Sequence, residues 1–214
     1  MYETFLFFFN FLFLLFSHFF QGLKEIDLHI LEAINHNRIE SLDHFFIFIT
    51  NIATVTTYSA SVILLVYALL KKKFLLQRKS WLVFISLIST SVVIDSLKHI
   101  VNRTRPFIIY PSIHNLVNVS SASFPSGHTG EVFVLATAIT LLFKKQKWFI
   151  LVVWIWAFLV TYTRLVLGVH YPSDVLASMI IGTGIGIALP RFLIKRGFLQ
   201  HHIRWERLYS KRKE

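Results

Sequence analysis

Cysteine is absent from the 214 residues, which excludes disulfides, thiolate metal sites and thiol nucleophiles. Acidic side chains are scarce: 11 Asp and Glu stand against 22 Lys and Arg, for a formal net charge of +11. There is no internal repeat and no Gly/Ser-rich linker, so residues 1–214 read as one domain. The apolar N-terminus lacks a basic leading region and a small-residue cleavage site. It reads as a retained first span and not as a signal peptide.

What abounds is apolar surface. Hydrophobic residues make up 55% of the chain, 22 of them Phe, and the mean hydropathy is +0.60. A soluble domain of this size has too little interior to hide so much. Six apolar stretches, at about residues 5–20, 45–70, 81–101, 126–143, 148–167 and 171–194, come near the ~20 residues that a helix needs to cross a bilayer. Helices satisfy their own backbone groups in lipid, so the expected fold is all-α: a bundle of six transmembrane helices.

The basic residues fall in short runs between these stretches, as positive-inside loops do, and not in the aromatic-and-basic pattern of a nucleic-acid groove. Lys71-Lys72-Lys73, Arg78-Lys79 and Lys144-Lys145-Gln146-Lys147, with the basic tail of about 195–214, mark one side as cytoplasmic and put both termini there. The opposite side carries only Lys24, Arg38, Lys98, Arg103, Arg105 and Arg164. Four of these six cluster at three motifs and call for an anionic partner. Residues 22–44 are amphipathic, with Ile26, Ile30, Ala33 and Ile34 near helical spacing, and are expected to lie along the outer surface.

The first motif runs from Lys98 to Arg105-Pro106, and by itself it equally fits cations snorkelling at a helix end. The second, Phe124-Pro125-Ser126-Gly127-His128, opens the fourth span. Pro suits a helix's first position, the free amides that follow make an anion site, and Gly127 lets a phosphate approach closely. The third runs from Thr163-Arg164 through Gly168 and His170 to Asp174. A carboxylate four residues after a histidine can fix its tautomer and make the other nitrogen a better nucleophile. Two histidines, one carboxylate and the cations Lys98, Arg105 and Arg164 form a set suited to phosphoryl transfer, which needs positioning and charge neutralisation above all. A metal site on His128, His170 and Asp174 is the rival use, but the converging cations would repel a divalent ion.

The three motifs resemble those of the type 2 phosphatidic acid phosphatase family, also called lipid phosphate phosphatases, which shares its site with vanadium haloperoxidases. The family pattern is Lys-x6-Arg-Pro, Pro-Ser-Gly-His and Ser-Arg-x5-His-x3-Asp. This sequence matches it from Lys98 to Asp174 with one departure, Thr163 in place of Ser. The resemblance implies a metal- and cofactor-independent lipid phosphatase of the bacterial cytoplasmic membrane, with its site at the outer interface. In that reading His170 attacks phosphorus to give a phosphohistidine, Asp174 supports it, and His128 protonates the leaving oxygen and then activates water. Lys98, Arg105, Ser126, Gly127 and Arg164 hold the phosphate. The implied substrates are lipid phosphates such as undecaprenyl pyrophosphate, phosphatidylglycerol phosphate, phosphatidate or lipid A. A lipid-to-lipid phosphotransferase would use the same residues. A transporter or flippase would be expected to show broken helices and inverted repeats, which are absent.

Two further groups stand beside the motifs. Glu131 shares a helix face with His128, and Asp95 one with Lys98. Either they pair with a cation such as Lys98 or Arg164, or Glu131 meets the substrate head group or tunes His128. Arg103 is a candidate head-group or phosphate contact. The loop 107–124, rich in apolar residues at its start, is either a gate for lipid entry or a plain connection. Gly182, Gly184 and Gly186 read as small residues for helix packing.

Overall fold

The structure, a computed structural model, is described over residues 24–198. The expected first span, at 5–20, and nearly all of the basic tail lie outside the described residues. Within them every regular element is a helix. Helix α1 covers residues 24–36, and a single 3-10 turn, Glu40–Leu42, leads into α2 (Asp43–Leu70). There follow α3 (Phe74–Val101), the one-turn α4 (Pro106–Ile109), α5 (Gly127–Leu142), α6 (Lys147–Val166) and α7 (Pro172–Lys195). Four stretches are long and apolar enough to cross a membrane: Glu40–Leu70, Phe74–Ile109, Lys147–Val166 and Pro172–Lys195.

Helix α5 explains the arrangement of the rest. It is apolar on every side, and all of its residues from Val132 to Ile139 are buried, so it can only be stable inside a ring of other helices. It packs against α2, α3, α6 and α7. The ring turns its own apolar residues outward: Val55, Ile63, Val92, Ile155, Phe158 and Ile180 are all more than half exposed, as lipid-facing positions are. The closest approach is between α5 and α7. A Cβ on Gly182 would stand 2.5 Å from the Gly130 carbonyl oxygen, and one on Gly186 would stand 2.9 Å from Thr137 Cβ. Gly184 points into open space, so two of the three glycines make the contact expected of all three.

Two boundaries differ from the sequence reading. Helix α3 begins at Phe74, so Arg78 and Lys79 lie inside it and not in a loop. Lys79 snorkels to the end of α5, where its Nζ donates to the Leu142 carbonyl at 2.6 Å and meets the negative pole of that helix. Pro125 does not occupy the first position of α5. Ser126 is the N-cap and Gly127 the first helical residue, while the Phe124–Pro125 bond outside it is cis. In α1 the residues turned to the protein are Leu31, Asp27 and Asn35, which are buried, while Ile26 and Ile30 are exposed. A helix on a lipid-facing protein can turn isoleucine outward at little cost, whereas Asp27 and Asn35 find hydrogen-bond partners only inward.

Candidate active site

The three motifs meet at one end of the bundle, where α3 ends and α5 and α7 begin. The turn between α6 and α7 sets the position of His170. Gly168 has φ +69°, and a Cβ there would stand 2.6 Å from the His114 carbonyl oxygen, so the turn requires glycine twice over. Arg105 Nη1 then donates to the Val169 carbonyl at 2.7 Å and lies 3.4 Å from His170 Nε2. The other ring nitrogen, Nδ1, faces Asp174 Oδ2 at 3.6 Å. That is longer than a hydrogen bond, and buried Nδ1 has no partner among the described residues. Burial pulls the His170 imidazole well below the usual histidine range, to about 3; Asp174 opposes this and the Arg164 and Arg105 guanidiniums reinforce it. The ring is therefore neutral near pH 7, with a free lone pair.

Asp174 is fully buried and heavily engaged. Its Oδ2 accepts from the Tyr171 amide at 3.0 Å and from Ser123 Oγ at 2.5 Å, and its Oδ1 accepts from Arg103 Nη1 at 2.6 Å. It thus caps α7, which starts on Pro172, while also facing His170.

The three expected phosphate-binding cations are held by neutral oxygens. Lys98 Nζ donates to the Ala122 carbonyl at 2.7 Å. Arg105 Nε donates to the Ser121 carbonyl at 2.7 Å and Nη2 to Ser121 Oγ at 3.1 Å. Arg164 Nη1 donates to Thr50 Oγ1, and its buried Nε has no partner among the described residues. Lys98 lies within electrostatic range of both arginines, and Arg164 within range of Arg105. At the first turn of α5 the Gly127 and His128 amides follow the N-cap, and a Cβ on Gly127 would meet nothing within 4 Å. Ser126 is buried and accepts from Thr129 Oγ1 at 3.1 Å. His128 is half-buried, beside the Thr50 carbonyl. An anion facing this end would meet three cations and a helix N-terminus at once.

Residues 79–198, more than half of the chain, match the PAP2 superfamily. The chain belongs to that superfamily. This PAP2 chain is 39% identical over 92 residues to a lipid A 4'-phosphatase of Bacteroides thetaiotaomicron, an alignment that spans 40% of each chain. It is 27% identical over 161 residues, 74% of each chain, to an undecaprenyl-diphosphatase of Sulfolobus acidocaldarius. Its fold matches the crystal structure of a transmembrane PAP2-type phosphatidylglycerolphosphate phosphatase from Bacillus subtilis, with a TM-score of 0.68 at 24% identity, covering 81% of this chain and 87% of that one.

The remaining candidates fall around the PAP2 motifs in ways their sequence did not announce. Arg103 turns its guanidinium to Asp174 at 2.6 Å and to Asp27 at 2.9 Å, so its charge is shared between two carboxylates. Glu131 makes no ion pair with Lys98 or Arg164; it accepts from Thr54 Oγ1 at 2.8 Å, near Ser91 and Asp95. Thr163 donates to the Val160 carbonyl of its own helix at 2.6 Å, so its hydroxyl is satisfied away from the site. The loop 107–124 is more than a connection. Its Ser121, Ala122 and Ser123 hold Arg105, Lys98 and Asp174, a role foreshadowed only by a run of small polar residues. Thr50, Asn35 and Asp27 were also missed; they lie outside the motifs, and single polar residues on apolar helices give no local signal.

Proposed function

We propose that this PAP2 protein hydrolyses the phosphate monoester or pyrophosphate of a membrane lipid, without metal, through a phosphohistidine on His170. The observation that carries the proposal is a buried His170 whose Nε2 faces the Arg105 guanidinium at 3.4 Å while Nδ1 faces Asp174 at 3.6 Å. In the first step Nε2 attacks phosphorus. The N–P bond forms as the bond to the lipid oxygen breaks, and a proton taken up by His128 when the anionic phosphate binds beside it passes to that leaving oxygen. Asp174 draws in to the Nδ1 proton as the ring becomes cationic, closing the 3.6 Å gap of the free site. Water then loses a proton to His128 and attacks phosphorus, and the N–P electrons return to Nε2. Lys98, Arg105, Arg164 and the Ser126–Gly127–His128 backbone neutralise the equatorial oxygens of the five-coordinate state.

The substrate reading follows the relatives, which are a lipid A 4'-phosphatase, an undecaprenyl-diphosphatase and a phosphatidylglycerolphosphate phosphatase. The loop charges favour six spans with both termini in the cytoplasm and the site facing outward across a bacterial cytoplasmic membrane, where envelope lipids are dephosphorylated. The test is phosphate release by protein purified in detergent, with EDTA present, from undecaprenyl pyrophosphate, phosphatidylglycerol phosphate, phosphatidate and lipid A. Release by wild type that disappears in His170→Ala is the expected result. Release abolished by EDTA, or retained in His170→Ala, would overturn the mechanism.

A further inference from the structure

Helix α1 lies outside the stretch that matches the PAP2 superfamily, yet it reaches the catalytic carboxylate through two ionic contacts. Asp27, buried on α1, accepts from Arg103 Nη2 at 2.9 Å. The same guanidinium donates from Nη1 to Asp174 Oδ1 at 2.6 Å and to Ser173 Oγ at 2.7 Å, and it stacks 3.8 Å from the centre of the Tyr171 ring. Asp27 also accepts from the Ser173 amide at 2.8 Å and from the Ser173 hydroxyl, so it caps the first turn of α7 from outside that helix. A second tie fixes the far end of α1: Asn35 Nδ2 donates to the Val166 carbonyl at 2.7 Å, and its Oδ1 accepts from the His114 amide at 2.8 Å.

The charge pattern of this relay decides what it does. Arg103 by itself would neutralise Asp174, leaving nothing to stabilise a cationic imidazole on His170. Asp27 divides the guanidinium between two carboxylates, so Asp27, Arg103 and Asp174 together keep one net negative charge. That charge sits where His170 turns cationic. The other charges acting on the ring are positive: Arg105, the residue before α4, whose Nη1 lies 3.4 Å from Nε2, and Arg164 from α6. Among the described residues Asp174 is the carboxylate that faces the ring, and its effective charge is set one step away.

We infer that Asp27 of α1 is a positioning residue of the active site, which keeps the negative charge of Asp174 available to His170 by sharing Arg103. The inference rests on the proposed role of His170 as nucleophile. It makes the surface helix part of the machinery, beyond the three motifs.

The test compares full-length wild type, Asp27→Asn, Asp27→Glu and Asp27→Asn/Arg103→Gln, on whichever of the four lipids wild type hydrolyses fastest. Each variant is checked for folding by gel filtration and thermal melting in detergent. Asp27→Asn is isosteric and should lower kcat by about tenfold, as loss of an outer partner of a functional histidine typically does, with KM within about threefold. The double variant removes one charge of each sign and should recover most of that kcat, whereas a merely structural contact would be lost further. Asp27→Glu should also recover. Wild-type kcat in Asp27→Asn, or a double variant that folds but is slower than the single one, overturns the inference. If the double variant does not fold, Asp27→Glu decides: a kcat no better than that of Asp27→Asn overturns it. None of these outcomes touches the His170→Ala result, so the two readings fail separately.

Discussion

Gly168→Ala adds one carbon atom at the turn that carries His170, and its cost can be worked out from two observations. The φ of +69° lies in the left-handed region, where an L-residue costs about 1–2 kcal/mol. The new Cβ would also stand 2.6 Å from the His114 carbonyl oxygen and 2.7 Å from Ile113 Cγ2. The oxygen belongs to a backbone held by Asn35, so it cannot swing aside as a side-chain tip would. Relieving the contact moves the turn by roughly 1 Å, and a misplacement of that size in a catalytic group costs on the order of 100-fold in rate. The expected outcome is a folded protein with kcat down about 100-fold and stability reduced by ~2–4 kcal/mol. The assay is phosphate release beside thermal melting in detergent, with Gly184→Ala as the partner variant. A Cβ at Gly184 meets nothing within 4 Å, so there alanine should leave activity unchanged and stability equal or raised by up to about 1 kcal/mol. Matching kcat and Tm values for the two alanine variants would refute the argument.

Two other perturbations read separate parts of the site. Gly127→Ala should fold normally, because its Cβ meets no protein atom, but it should raise KM for substrate and weaken protection by inorganic phosphate, since the methyl enters the space before the α5 amides; unaltered binding would remove Gly127 from the phosphate cradle. His170 should make stability depend on pH. Its folded pKa, held near 3 by burial, lies below the unfolded value of about 6.5, so the unfolded chain takes up the proton first. The contribution is complete above that unfolded value and is lost progressively as pH falls from there toward 3. Melting curves of His170→Asn should show a shallower decline over this range than wild type, and parallel declines would sink the assignment.

Much of the fold was legible because the bilayer imposes a length on each span, and α2, α3, α5, α6 and α7 end close to where the apolar stretches end. Lys79 shows what such a reading misses: a cation long enough to snorkel does not mark a helix boundary. The motif residues were legible because His128, His170, Asp174, Lys98, Arg105 and Arg164 are expensive groups in an apolar chain, at spacings that place them at one end of the bundle. Their supports were not. Hydropathy cannot separate a lipid-facing Ile26 from a core residue, and nothing local in Asp27 or Asn35 says that its partner lies 76 or 131 residues away. For Glu131 a neighbouring cation such as Lys98 or Arg164 was expected, yet a hydroxyl from α2 took its place, because which helix packs beside α5 is a tertiary fact.

The cations at the end of α5 are anchored to the carbonyls of Ala122, Ser121 and Val169 and to the hydroxyls of Ser121 and Thr50, none of which cancels their charge. A cradle built this way does not distinguish an esterified phosphate from the inorganic phosphate that the reaction leaves behind. In the proposed reaction product therefore competes for the same seat as substrate, and turnover depends on how fast free phosphate is diluted away. Phosphate buffer would slow the protein, and vanadate or phosphate would raise its melting temperature by binding the folded state alone.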